Sequence, residues 1–483
     1  MRILFYSTNS NHFDGKNTNL ETRPFLSEQW ENLAKKNPEH KFIIATQLPG
    51  MFLLDVKENQ IAQKAEHFEY FLIQDDDETK IAEFLCALNP DIAFAASFYA
   101  PPFDWLSVKD ALIAEKLRQK GIKTICHPLD SVLTCFDKWE THQFFEKEKI
   151  RCAKAVLFNH ELFINGGNRR EIKSNVYKSA FFEQVKNLNF PLIIKDTTGL
   201  SSYGMDVVKN FEEAKTVILS KKSSSNRILE EMISGEQFGL EAIRILKNGK
   251  SHVKILPPFK FSVNKYGITS PKQSVKVGPV LDAEKYNLHA LNKMIFKICE
   301  KMNFCGTANF DLVFNPSQKK WFVLEINPRL SGMTTSYAAS LNKSIAELIF
   351  EFFFEDFGPD CAELFYISKN CASGTSGCSE QKANSKTQVL NAKQSFNPTM
   401  NIKFPILSTE KIEKAKALPF VKFVNQQENL GAKQLREKGY SEIIFTAKTF
   451  QELKENLNSL KSEFKNEMEE IFFENAVKLL NSI

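Results

Sequence analysis

The feature that most constrains this chain is a pair of alternating runs, "ANFDLVFN" and "WFVLEINPR", separated by little more than "PSQKK". Apolar–polar alternation over several residues is the pattern of a half-buried strand. The short polar linker predicts that the two runs pair as an antiparallel hairpin. A register that sets Asp311 opposite Glu325 leaves a five-residue loop, an ordinary length. Side chains alternate across a strand, so Asn309, Asp311 and Val313 then share a face with Val323, Glu325 and Asn327. Phe310, Leu312, Phe314, Phe322, Leu324 and Ile326 form the other face, which is core. The first face clusters two carboxylates and an amide, and like charges opposite one another across a hairpin are destabilising. A cation between them removes that cost. Oxygen ligands in small number suit Mg²⁺, which keeps waters and takes further oxygens from phosphate. Asp311, Glu325 and Asn327 are therefore candidate metal ligands. Arg329, two residues further along the same face, carries a planar fork suited to a carboxylate or phosphate. The plain alternative is a solvated hairpin face with an incidental Glu and Arg.

The rest of the chain narrows the choice. Its 483 residues suffice for roughly two to four domains. The net charge of +5, from 63 basic and 58 acidic residues with no basic stripe, argues against a nucleic-acid partner. No apolar stretch approaches the roughly 18 residues of a membrane span, so no membrane partner is expected. The densest run, "AELIFEFFFEDF", is broken by acids and reads as a buried helix. The opening "MRILFYSTNS" is too short in its apolar part for a signal peptide. Nine cysteines without a CxxC pair suggest reduced thiols and a cytoplasmic setting. Cys299 and Cys305 read as packed thiols rather than nucleophiles. Eight histidines without an HxxxH or HExxH spacing give no dedicated zinc site.

Residues 1–130 alternate short apolar runs ("RILFYST", "KFIIATQ", "EYFLIQ", "DIAFAAS", "IKTICH") with helical patterns, which predicts an α/β domain on a mostly parallel sheet. "STNSNHFDGKN" after the first strand lacks GxGxxG, which excludes a dinucleotide fingerprint. Residues 131–355 are richer in strands joined by tight turns, an α+β pattern. Residues 356–400 read as a polar insert or linker. Residues 401–483 predict a small α+β domain with strands at "FVKFVNQ" and "EIIFTAK" and a long charged helix from about Phe450.

Two further stretches carry chemistry. "FPLIIKDTTGLSSYGMDVV" places Lys195 near the end of a strand, followed by Gly199, Ser201, Ser202 and Gly204. Glycines allow close backbone approach, and the hydroxyls can donate to phosphate oxygens. It is not a Walker A loop, because no helix opens with GK[ST]. "RILEEMISGEQFGLEAI" carries Glu230, Glu231, Met232 and Ile233, whose backbone can pair with an adenine edge, and Glu236, which can accept from ribose hydroxyls. In "CFDKWETHQFFEKEKI" Asp137 is a candidate N-cap and Lys138 opens the helix. A lysine there opposes the helix dipole unless an anion lies near. On the acceptor side, "ILPPFKFSVNKYGITSPKQSVK" offers Lys260 or Lys265 to a carboxylate, and Ser331 follows Arg329 in a turn.

In order and spacing, these stretches resemble the ATP-grasp superfamily, in its carboxylate–amine ligase-like branch, over about residues 131–340. The resemblance implies an N-terminal α/β domain, an ATP-grasp domain with a lid at about 160–235, and a small C-terminal domain. It implies that Lys138 and Lys195 contact ATP phosphates under the 197–204 loop. Glu230 to Ile233 would line the adenine pocket and Glu236 would hold the ribose. Asp311, Glu325 and Asn327 would bind Mg²⁺, with Mn²⁺ as an alternative, and Arg329 would steady the transferred phosphoryl group or acyl intermediate. The implied activity is ADP-forming amide synthesis from a small-molecule carboxylate and an amine, and a homodimer is compatible with it. Phosphate transfer to a stable acceptor and non-catalytic nucleotide binding are the rival readings.

Overall fold

The computed structural model describes residues 1–8, 18–48, 53–57, 60–61, 65–98, 106–165, 176–198, 205–220, 223–247, 249–263, 274–353, 365–367, 396–429, 439–464 and 467–483. The five apolar runs of the N-terminal part form a five-stranded parallel sheet in the order Glu69–Leu72, Lys41–Thr46, Arg2–Ser7, Ile92–Ala95, Lys123–Ile125. The chain order reverses at Arg2–Ser7, so its carboxyl end and that of Ile92–Ala95 flank a topological switch point, where open α/β sheets place their ligands. Helices Leu26–Lys36, Glu78–Ala87 and Leu106–Gln119 cover this sheet through Trp30, Ile81, Leu85, Ile113 and Leu117, all buried.

A second, four-stranded antiparallel sheet runs Asp206–Val208, Leu192–Asp196, Arg227–Glu231, Ala155–Phe158. Its own core, built on Phe158, Phe181, Leu192 and Leu229, makes it a small separate layer. This is the stretch read as a lid.

The third sheet has thirteen strands. It begins with the hairpin, Lys320–Asn327 beside Gly306–Asn315. It continues through Glu236–Lys247, Phe259–Phe261 and Val275–Gly278 into Thr399–Phe404, Gly439–Thr446 and Val421–Asn429. The C-terminal strands thus extend the hairpin's sheet instead of forming one of their own. Thr18–Arg23 and Val56–Lys57, from the N-terminal part, add to its far end. These extensions rest on pairings between residues hundreds of positions apart, which local periodicity does not register. Under the hairpin, helix Leu288–Lys301 packs Leu291, Ile295 and Ile298 against Phe238, Leu312 and Trp321. The apolar run near residue 350 is helix Ile345–Phe353, whose apolar residues are all in the core shared by the N-terminal sheet and the long one. The long C-terminal helix is two, Phe450–Glu463 and Glu467–Leu480. Most of the polar insert lies outside the described residues. Among those described, no helix is long and apolar enough to cross a membrane.

Candidate active site

The hairpin pairs as the alternation predicts where it matters: Asp311 faces Glu325, and Asn309 faces Asn327. Beyond that point a β-bulge lies between Asp311 and Leu312, and the partner of Leu312 is Val323 rather than Leu324. The expected core face is corrected accordingly. Trp321 and Val323 pack into the core with Leu312 and Phe314, and Phe322 and Leu324 do not. The loop shortens to residues 316–319 because Asn315 pairs with Lys320. A bulge re-aims side chains beside functional sites. Here it lets two apolar side chains and Glu325 each face the layer that suits them.

Cations surround the acidic pair. Lys138 Nζ lies 3.6 Å from Glu325 Oε1. Its helix is capped by Asp137, which accepts from the N–H groups of Trp139 and Glu140 at 2.7 and 3.1 Å. The N–H of Lys138 donates to the carbonyl of Thr197 at 2.8 Å, which ties this helix to the end of the Lys195 strand. Lys195 Nζ lies 2.7 Å from Glu230 Oε2, both side chains nearly buried. Burial opposes the Lys195 charge, but Glu230, Glu325 and Asp311 outweigh it and hold its pKa above the usual value. Burial and the charge of Glu325 push the Asp311 carboxyl up to about 7, against Arg329, Lys276 and Lys195. Two carboxylates that face one another across the hairpin, with Lys195 acting on both, fit a divalent ion between them.

Asn327 shares the face but stands one row further along. Its Oδ1 accepts from Arg329 Nη2 at 3.1 Å, so in this state it orients the guanidinium. Arg329 Nη1 donates to the carbonyl of Leu330 at 3.1 Å. Arg329 also lines a small cavity with Ser97, Asp110, His127 and Thr307 at the carboxyl ends of Ile92–Ala95 and Lys123–Ile125. There Thr8 donates to the buried Asp110 at 2.6 Å.

Four assignments need correction. Glu236 lies in register with Phe238 and Leu240, whose side chains are core, so it points away from Asp311. It pairs instead with the buried Lys260. Gln237, in register with Val313 on the Asp311 face, stands where Glu236 was expected. Lys260 is equally turned away, and its Nζ also reaches the carbonyl of Ser482 at 3.1 Å. Glu231 likewise turns from Lys195: its Oε1 accepts from Asn189 at 2.9 Å. The N–H groups of Glu231 and Met232 donate to the carbonyls of Lys154 and Pro191, which removes them as donors to an adenine edge. Gly199, Ser201, Ser202, Gly204 and Lys265 lie outside the described residues. Cys299 and Cys305 are packed thiols, with burial raising the pKa of both.

Two residues on the site face escaped the sequence reading. Lys276, opposite Phe261 in the neighbouring strand, donates to the carbonyl of Gly332 at 3.2 Å and acts on both Asp311 and Glu241. Glu241, in register with Asn309, is wholly buried. Between them lies Gly239, opposite Asp311. A Cβ there would come within 2.3 Å of the Phe261 ring. Gly239→Ala is expected to displace Phe261 and lower stability by about 1–3 kcal/mol in urea unfolding, the cost of overpacking.

Residues 169–339 match the family described as the ATP-binding domain of the carbamoyl-phosphate synthase L chain. A D-alanine–D-alanine ligase of Prochlorococcus marinus is 27% identical over 198 residues, which span 38% of this chain and 55% of that protein. A carbamoyl-phosphate synthase of Methanobrevibacter smithii is 22% identical over 170 residues, 35% of this chain and 44% of that one. The chain thus spans about half the length of these curated relatives. Among solved structures, an L-amino acid ligase from Bacillus licheniformis superposes with TM-score 0.61 at 14% identity, covering 96% of this chain and 97% of the other. The N5-carboxyaminoimidazole ribonucleotide synthetase of Thermus thermophilus does so with TM-score 0.59 at 12% identity, covering 96% and 99%.

Proposed function

Because this chain carries the ATP-grasp fold, we propose that it is an ADP-forming carboxylate–amine ligase that works through an acyl phosphate. The observation that carries this reading is the opposed pair Asp311 and Glu325, with Lys138, Lys195, Lys276 and Arg329 around it. A carboxylate does not react with an amine unaided, because oxide is too poor a leaving group. Its oxygen first attacks the γ-phosphorus of ATP, and the bond from that phosphorus to the ADP oxygen breaks. The amine nitrogen then forms a bond to the acyl carbon, phosphate leaves, and the nitrogen gives up a proton. Such transfers leave the protein little covalent work; positioning and charge neutralisation supply the rate.

Asp311, Glu325 and Asn327 would hold Mg²⁺, or Mn²⁺ in its place, and the bound ion would neutralise phosphate charge. Lys195, held by Glu230, and Lys138 would bind phosphate oxygens. The carbonyls of the 230–233 segment, with Ile233, would meet the adenine edge. Gln237 replaces Glu236 as the partner of the ribose hydroxyls. Arg329 and Lys276 would hold the acid's carboxylate beside the small cavity that Arg329 lines. The names of two relatives, a D-alanine–D-alanine ligase and an L-amino acid ligase, make amino acids the first acids and amines to try.

The deciding experiment is ADP release across pairs of amino acids, with hydroxylamine as a competing nucleophile. Hydroxamate that forms only with the acid and ATP is the expected result. ADP release with a stable phosphorylated product and no hydroxamate would replace ligation by phosphotransfer. The ribose assignment has its own check. Gln237→Ala should narrow the preference for ATP over 2′-deoxyATP by about tenfold, the worth of a hydrogen bond near the upper end of its usual range. Glu236→Gln should leave that preference where it was.

A further inference from the structure

Glu241 sits in the middle of strand Glu236–Lys247, between the apolar Leu240 and Ala242, and it is wholly inaccessible to solvent. Its two oxygens are treated very differently. Oε1 accepts three hydrogen bonds: from the N–H of Ser331 at 3.1 Å, from Ser331 Oγ at 2.7 Å and from Thr334 Oγ1 at 2.8 Å. Oε2 is buried and has no hydrogen-bond partner among the described residues. A carboxylate costs several kcal/mol to bury even when partly paired. A fold that needed only a core residue at this position would place a Leu or Val there.

All three donors belong to one short segment. Ser331 and Thr334 form the capping box of helix Gly332–Ser340. That segment begins immediately after Arg329 and Leu330, and Leu330 bridges to Phe98 of the N-terminal part. Glu241 thus gathers three donors of the turn that follows Arg329 onto one buried oxygen, while Asn327 holds the guanidinium from the other side. Lys276, held to the carbonyl of Gly332, closes the same turn. Without Glu241, the serine and threonine hydroxyls and one backbone N–H lose their shared acceptor, and the turn keeps only the Lys276 bond and the Leu330 bridge.

We infer that Glu241 is a positioning residue for Arg329: it sets where the guanidinium meets the acid and its phosphorylated intermediate, without itself touching either. This rests on the ligase reading above, and it concerns the acceptor step rather than nucleotide binding, because Glu241 lies one row away from Asp311. Glu241→Ala should bind MgADP in calorimetry about as tightly as the parent chain. Its turnover should fall by about 100-fold, the scale of an ångström-sized misplacement. More of its ADP release should be uncoupled from amide formation. Glu241→Gln keeps an oxygen acceptor for the three donors and should recover most of the loss. Unchanged turnover in Glu241→Ala, or a fall matched by an equal loss of MgADP affinity, would overturn the inference. Should Glu241→Ala fail to fold, Thr334→Val decides: a smaller fall in kcat at unchanged KM for ATP is expected, and no fall would count against it. If no acid–amine pair supports ADP release in the parent chain, the ligase reading fails, but hydrogen exchange over residues 327–336 still tests the hold of Glu241 on the turn. Faster exchange in Glu241→Ala, restored in Glu241→Gln, is the expected result, and equal exchange in all three would refute it.

Discussion

Glu325→Gln is expected to lose Mg²⁺-dependent ADP release by about 100-fold or more, the scale seen when one preorganised electrostatic contact is removed, while the protein stays folded. Asp311→Asn should behave alike. The expectation follows from placement. The two carboxylates are direct cross-strand neighbours on a hairpin whose other face is core, so neither can leave without breaking the sheet. Burial and the Glu325 charge push the Asp311 carboxyl up to about 7. A divalent ion relieves that repulsion, and a single remaining carboxylate binds it far less well. A coupled ADP assay run with and without Mg²⁺ checks this, with circular dichroism as the control for folding. Turnover near the parent level in both variants would remove the metal assignment.

The second large effect is expected at Lys195. Its ammonium is nearly buried, 2.7 Å from Glu230 and acted on by Glu325 and Asp311. Lys195→Met leaves Glu230, Glu325 and Asp311 with less positive charge to balance them. Breaking a buried pair on one side costs about 3–5 kcal/mol. Unfolding midpoints in urea, without nucleotide, should report a loss of that order. The double variant Lys195→Met, Glu230→Gln should recover a large part of it, because the stranded carboxylate is gone. Neither chain should bind MgADP at the parent affinity. If the double variant is as unstable as the single one, Lys195 and Glu230 are not the coupled pair described above.

Much of this site was legible in the sequence because local patterns carry it. Period-two alternation alone set Asp311 opposite Glu325, and the structure has that register. The N-cap role of Asp137 and the packed state of Cys299 and Cys305 were equally readable, since each depends on near neighbours or on apolar context. Glu236 was misassigned by one residue of parity. Counting back by twos from the core residues Phe238 and Leu240 would have put it on the apolar face and Gln237 on the other. The bulge that returns Val323 to the core leaves no mark in composition. Lys276 and Glu241 were not legible at all. Their roles exist only where strands from residues 241, 276, 311 and 325 come side by side and meet the turn after Arg329. A lone acid inside "FGLEAIRIL" was the single available hint for Glu241.

The most direct measurement is a crystal structure of this chain grown with ADP and Mg²⁺. The account predicts one metal ion bridging the diphosphate to the protein, with a carboxylate oxygen of both Asp311 and Glu325 at about 2.0–2.1 Å from it. A nucleotide bound with its metal held by neither residue, or by water alone, would contradict it.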